Sequence, residues 1–83
     1  MILTWDERRR QANLAKHGLD FASLTPGFFL DAKVIEARQG RFAALGRLDD
    51  GREIVVIFAR LGAEGLSVIS MRAASPKERQ YVD

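Results

Sequence analysis

The chain has 83 residues, thirteen Lys and Arg against eleven Asp and Glu, a net charge of +2, one histidine and no cysteine. These numbers exclude a disulfide scaffold, a thiolate metal centre, a cysteine nucleophile and a multi-histidine metal site. No apolar run approaches the ~18 residues of a membrane span, and MILTWDERRR puts its charges after its short apolar stretch, the reverse of a secretory signal, so the expected location is the cytoplasm.

Residues 1–5 are short and apolar, compatible with an edge strand. Thr4-Trp5-Asp6-Glu7 matches a capping box with Thr4 as N-cap. A helix is predicted from there to about His17, closed by Gly18 in the left-handed conformation. Its apolar stripe is thin, mainly Trp5, Ala12 and Ala15, while Arg9, Arg10, Asn13, Lys16 and His17 share another side. Asp20 is placed to cap a second, shorter helix through Phe21, Ala22 and Leu24, which Thr25-Pro26-Gly27 ends or kinks. Strands follow at residues 33–37, 41–48, 52–59 and 66–71. Asp49-Asp50-Gly51 and Gly62-Ala63-Glu64-Gly65 form the turns around the third strand. Ser75-Pro76-Lys77-Glu78 opens a last short helix with a second capping box. The order predicts an α+β fold: N-terminal helices on a four-stranded antiparallel sheet, with a short C-terminal helix, forming one domain over residues 1–83.

The third strand is apolar on both parities, with Ile54, Val56 and Phe58 on one face and Val55, Ile57 and Ala59 on the other. Two short helices cover one face of a sheet. The second face then calls for a partner chain, another part of this chain, or a twisted strand covered by loops.

Ten of the thirteen cations are arginine, the residue that grips phosphate or carboxylate with paired hydrogen bonds. Asn13 and His17 are spaced i, i+4, so the amide can fix the imidazole tautomer. His17 then reads either as a general acid or base with Lys16 as a phosphate ligand, or as a helix C-cap with a buried hydrogen bond. Arg41 and Arg47 share a parity but stand roughly 20 Å apart, too far for one small ligand. Arg52 and Arg60 bracket the third strand and Arg72 ends the fourth. Together they form either a phosphate platform or solvated strand ends beside Asp49, Asp50 and Glu64. Tyr81 either stacks on a base or packs on the sheet, and Phe21, Phe28 and Phe29 belong to the core. RNA cleavage without metal needs a base for the 2′-hydroxyl, cations for the phosphorane and an acid for the leaving 5′-oxygen. One His, one Lys and two or three Arg suffice, so composition permits this chemistry without demanding it.

Trp5-Asp6-Glu7 followed by Asn13-Leu14-Ala15-Lys16-His17-Gly18-Leu19-Asp20-Phe21 resembles the opening of the BrnT family of type II toxin–antitoxin systems. Arg41-Phe42-Ala43-Ala44-Leu45-Gly46, Ile54-Val55-Val56-Ile57, Ile69-Ser70-Met71-Arg72-Ala73-Ala74, then Glu78-Arg79 and Tyr81 follow in the family's order. The resemblance covers nearly the whole chain. It implies a RelE-like fold and a metal-independent endoribonuclease that cleaves RNA and stops translation. It implies neutralisation by a BrnA-like antitoxin with a ribbon-helix-helix domain, the complex repressing its own operon. Operator DNA is thus reached only through the antitoxin complex, and no cofactor, metal or membrane is called for. Carried over by motif, the site residues are Lys16 and His17 of the K-H pair, Arg41 before its aromatic neighbour, and Arg72 of the S-x-R block. His17 is then the acid or base, Arg41 and Arg72 hold phosphate, and Lys16 neutralises charge.

Three positions depart from the family's pattern. Gly40 stands where an acid is usual, Ser67 where arginine often occurs inside the fourth strand, and Ala73 where a basic residue often follows the S-x-R arginine. They support an alternative, a catalytically degenerate toxin that serves as an antitoxin-binding, co-repressor module. Direct DNA binding by the lone chain is disfavoured by the small net charge and the lack of a recognition-helix pattern.

Overall fold

The computed structural model describes residues 1–82. Strand β1 (Ile2–Trp5) leads into helix α1 (Glu7–His17). A 3-10 turn (Phe21–Ser23) and helix α2 (Pro26–Asp31) follow. Strands β2 (Lys33–Glu36), β3 (Phe42–Arg47), β4 (Glu53–Leu61) and β5 (Gly65–Ala73) come next, then a 3-10 turn at Glu78–Tyr81. The sheet order is β1-β5-β4-β3-β2. β1 pairs with β5 in parallel, and every other pair is antiparallel.

The expected architecture, RelE-like with N-terminal helices on a four-stranded antiparallel sheet, is corrected by that fifth strand: the sheet is five-stranded and mixed. Residues 1–5 carry too few alternations to identify a partner, and the partner lies some sixty positions away, where Thr4 faces Ser67. The same pairing moves the helix cap. Thr4 Oγ1 donates to Leu66 O at 3.3 Å, so Asp6 caps α1 instead, accepting from the backbone N–H groups of Arg8 and Arg9. The left-handed cap at Gly18 forms as expected, with φ +69°.

The segment 20–31 also differs. Asp20 does cap the next element, but that element is the three-residue 3-10 turn. Thr25-Pro26-Gly27 starts a helix instead of ending one, with Thr25 as N-cap and Pro26 in the first turn, where its missing N–H costs nothing. Both phenylalanines of α2 are buried. Gly46 lets α2 lie against β3, since a Cβ there would sit 2.8 Å from Phe28 Cε1. The last element is a 3-10 turn and not an α-helix, although the Ser75–Glu78 capping box does close: Glu78 N donates to Ser75 Oγ at 3.2 Å, and Ser75 N to Glu78 Oε1 at 2.9 Å.

Each parity of β4 meets its own cluster. Ile54, Val56 and Phe58 join Phe21, Phe28, Phe29, Val68 and Met71 under the helices. Val55 on the other face packs with Ala43, Leu45 and Ala74, flanked by Ile57 and Val82. The second face is therefore covered partly by the chain's own C-terminal segment. Lys33 Nζ lies 4.7 Å from the centroid of the Tyr81 ring, which gives that tyrosine a packing role.

Candidate functional site

Helix α1 rests on the sheet through a polar side chain. Ala12 and Ala15 of the expected apolar stripe are exposed, and Asn13 is the helix's one buried residue. β1 ends opposite Val68, so the Met71 N–H beyond it lacks a strand partner. Asn13 Oδ1 accepts from that N–H at 3.0 Å, and its Nδ2 donates to Leu19 O at 3.1 Å. The amide therefore does not serve the His17 imidazole. It fixes the C-terminal turn of α1 against β5. Arg10 anchors the other end, bonding Glu7 and both carboxylate oxygens of Asp20. Those ion pairs hold the Glu7 and Asp20 carboxyls below the ordinary range, through the Arg10 contact for Glu7 and through the Ala22 N–H, then Arg10, for Asp20.

This docking leaves Lys16 and His17 exposed at the end of α1. His17 lines a cleft of about 360 Å³ with Leu19, Arg52, Glu53, Ile54, Ala73 and Arg79. The cleft sits where β4 begins and β5 ends. Arg52 is engaged by Asp50, its Nε donating to Oδ2 at 2.8 Å. The side chains of Lys16, His17 and Arg79 have no hydrogen-bond or ion-pair partner among the described residues. No group of three or more His, Cys, Asp or Glu side chains suited to a metal is assembled among them either.

Arg72 lies at the same end of the sheet, opposite Val55. Its guanidinium is clamped by Glu78, with Nη1 to Oε1 at 2.7 Å and Nη2 to Oε2 at 2.9 Å. The hydrogen bonds with Arg72, then the Ser75 N–H, pull the Glu78 carboxyl down to about 2, and the same contact raises Arg72. Arg41 stands apart. It precedes β3 at the far end of the sheet, roughly 15 Å from Arg72 by strand spacing and rise. It closes a tight turn in which Gln39 and Gly40 both have positive φ, 59° and 72°. Arg41 N donates to Arg38 O, and Ala37 N donates to Arg41 O. Gly40 thus stands where a β2–β3 hairpin needs left-handed backbone.

Of the four residues selected from sequence, Lys16, His17 and Arg72 come to one end of the sheet and Arg41 to the other. Arg79 and Arg52 in the cleft were not selected. The signal for Arg79 was its place after the capping-box acid Glu78, whose pairing with Arg72 brings the next residue to the cleft.

The family described as the ribonuclease toxin BrnT of type II toxin–antitoxin systems matches residues 5–78. The crystal structure of the Brucella abortus ribonuclease toxin BrnT is similar, with 51% sequence identity and a TM-score of 0.84. That match covers 90% of this chain and 99% of the Brucella chain. No curated protein matches. With the family's motif blocks folded into this sheet and helix arrangement, the chain belongs to the BrnT family of ribonuclease toxins of type II toxin–antitoxin systems.

Proposed function

We propose that this chain is a metal-independent endoribonuclease that cleaves RNA in the cytoplasm and so inhibits translation. The observation that carries the proposal is the cleft at the end of α1, where the lone histidine meets Arg79, a cation with no anionic partner among the described residues. His17 acts as the acid or base at the scissile phosphate, and Lys16 neutralises charge that builds on the phosphorane. Arg79 binds a phosphate oxygen at the cleft. Arg72 works there through Glu78, holding the segment that presents Arg79, and reaches phosphate only by exchanging that carboxylate. Arg41 contacts the RNA away from the cut. A BrnA-like ribbon-helix-helix antitoxin neutralises the toxin, and the complex meets operator DNA through the antitoxin.

The occupied Arg72, with Gly40, Ser67 and Ala73, favours one second reading: a degenerate toxin retained as antitoxin-binding co-repressor. An RNA cleavage assay in EDTA separates the two. Cleavage by the parent, reduced at least 100-fold in His17→Ala and about tenfold in Arg79→Ala, is the expected result. Intact RNA at high enzyme excess, with the antitoxin still bound, establishes the second reading. Full cleavage by folded His17→Ala removes the site assignment.

A further inference from the structure

At the opposite end of the sheet from His17 lies a second depression, of about 330 Å³, on the helix-covered face. Phe29, Val34, Phe58 and Leu66 line it, with Met1 at its rim. Its apolar rim is open to water, with Val34 42% and Met1 47% exposed, while Phe29 and Phe58 form a buried floor. Isolated exposed apolar side chains are ordinary, but several around one groove mark an interaction surface. A polar element sits beside them. Arg60 also lines the groove, with its guanidinium carbon 5.0 Å from the centroid of the Phe42 ring and no carboxylate partner among the described residues. Glu64 lines the β4–β5 turn nearby, outside ion-pair distance of Arg60.

We infer that this groove is the docking site for a segment of the antitoxin that seats a bulky apolar side chain beside a carboxylate. The apolar side chain fills the space between Phe29, Phe58 and Leu66, and the carboxylate meets Arg60. Glu64 selects against a second acid on the turn side, which gives the segment a direction. RNA is the poorer occupant, since the groove offers one cation and an acid to a polyanion. The inference rests on the reading that a protein antitoxin is this chain's partner. It separates two surfaces: docking occurs at the Arg60 end of β4, while the cleft that holds His17 lies at the Glu53 end.

The test is calorimetric titration of the full chain with the antitoxin protein encoded in the adjacent reading frame, for the parent, Arg60→Glu and Val34→Asp. Both positions are exposed, and circular dichroism confirms folding. Each variant is expected to bind at least tenfold more weakly, cleave RNA as the parent does, and escape rescue by the antitoxin in growing cells. Parent-like affinity in folded Arg60→Glu and Val34→Asp overturns the docking site while leaving the partner reading intact. Loss of RNA cleavage in Arg60→Glu assigns the groove to RNA and overturns the proposal. A parent that fails to bind the antitoxin removes the partner reading and the proposal with it. If the chain alone is a dimer in solution that Val34→Asp dissociates, the groove belongs to a second copy, and the proposal also fails.

Discussion

Asn13 does more for this fold than any apolar residue of its helix. Its amide satisfies two buried backbone groups at once, the Met71 N–H left open where β1 stops and the Leu19 carbonyl after the helix cap. Leaving such groups unpaired in the interior costs about 1–3 kcal/mol each. Asn13→Ala is therefore expected to destabilise the chain by about 2–4 kcal/mol in urea unfolding. Asn13→Asp is expected to restore little, because the oxygen that replaces Nδ2 faces the Leu19 carbonyl oxygen. If Asn13 instead served to orient the His17 ring, Asn13→Ala would keep its stability and lose RNA cleavage. The i, i+4 spacing of Asn13 and His17 was legible in the sequence, but the long-range claim on the amide was not. That claim comes from a backbone donor on β5, 58 positions away, exposed by the length of β1.

At the scale of elements, local signals placed what local forces decide. Gly18 after His17, the Asp49-Asp50-Gly51 turn and the Ser75–Glu78 capping box each rest on contacts within a few residues, and each appears in the structure. The errors fall where an element's role depends on a distant partner. The edge strand read at residues 1–5 forms as β1, but its parallel pairing with β5 was not legible locally, and that pairing displaced the cap from Thr4 to Asp6. The site follows the same division. Lys16 and His17 sit at the helix end that their spacing implied, while the closeness of Arg79 required the Arg72–Glu78 pair. That pair gives the C-terminal segment a pH dependence. Glu78 is lowered from 4.5 to about 2 by the Arg72 hydrogen bonds. The unfolded chain thus takes up the proton first, and stability is complete above about pH 4.5 and lost as pH falls toward about 2. Screening at this partly exposed pair limits the loss to about 1–2 kcal/mol. Glu78→Gln is expected to remove that stability at neutral pH and to flatten the acid limb between about pH 4.5 and 2. Urea midpoints of parent and variant across that range check it. Parallel acid limbs would mean that the ion pair contributes nothing to folding.

Across the whole molecule, charge is local and not global. The net charge is +2, and many of the ten arginines are neutralised or committed: Arg10 to Glu7 and Asp20, Arg52 to Asp50, Arg72 to Glu78. Arg47 lies 3.8 Å from Glu53. The proposed RNA surface draws on three cations that have no acidic partner among the described residues: Arg79 in the cleft, Lys16 next to His17 at the end of α1, and Arg41 at the far end. A single strand that contacts these three releases about 0.7 counterion per neutralised phosphate. The logarithm of RNA affinity is then expected to fall with the logarithm of salt concentration with a slope of about −2. Fluorescence anisotropy with a 2′-O-methyl RNA, which binds without being cut, gives that slope directly. Arg79→Ala and Arg41→Ala are each expected to reduce it by about 0.7, and Arg60→Glu to leave it nearly unchanged. A slope unaffected by Arg41→Ala would confine the RNA to the cleft beside His17. A slope much steeper than about −3 would place many further cations on the RNA path. That outcome would favour the second sheet face, where Lys33, Arg47 and Arg72 lie, over the end of α1.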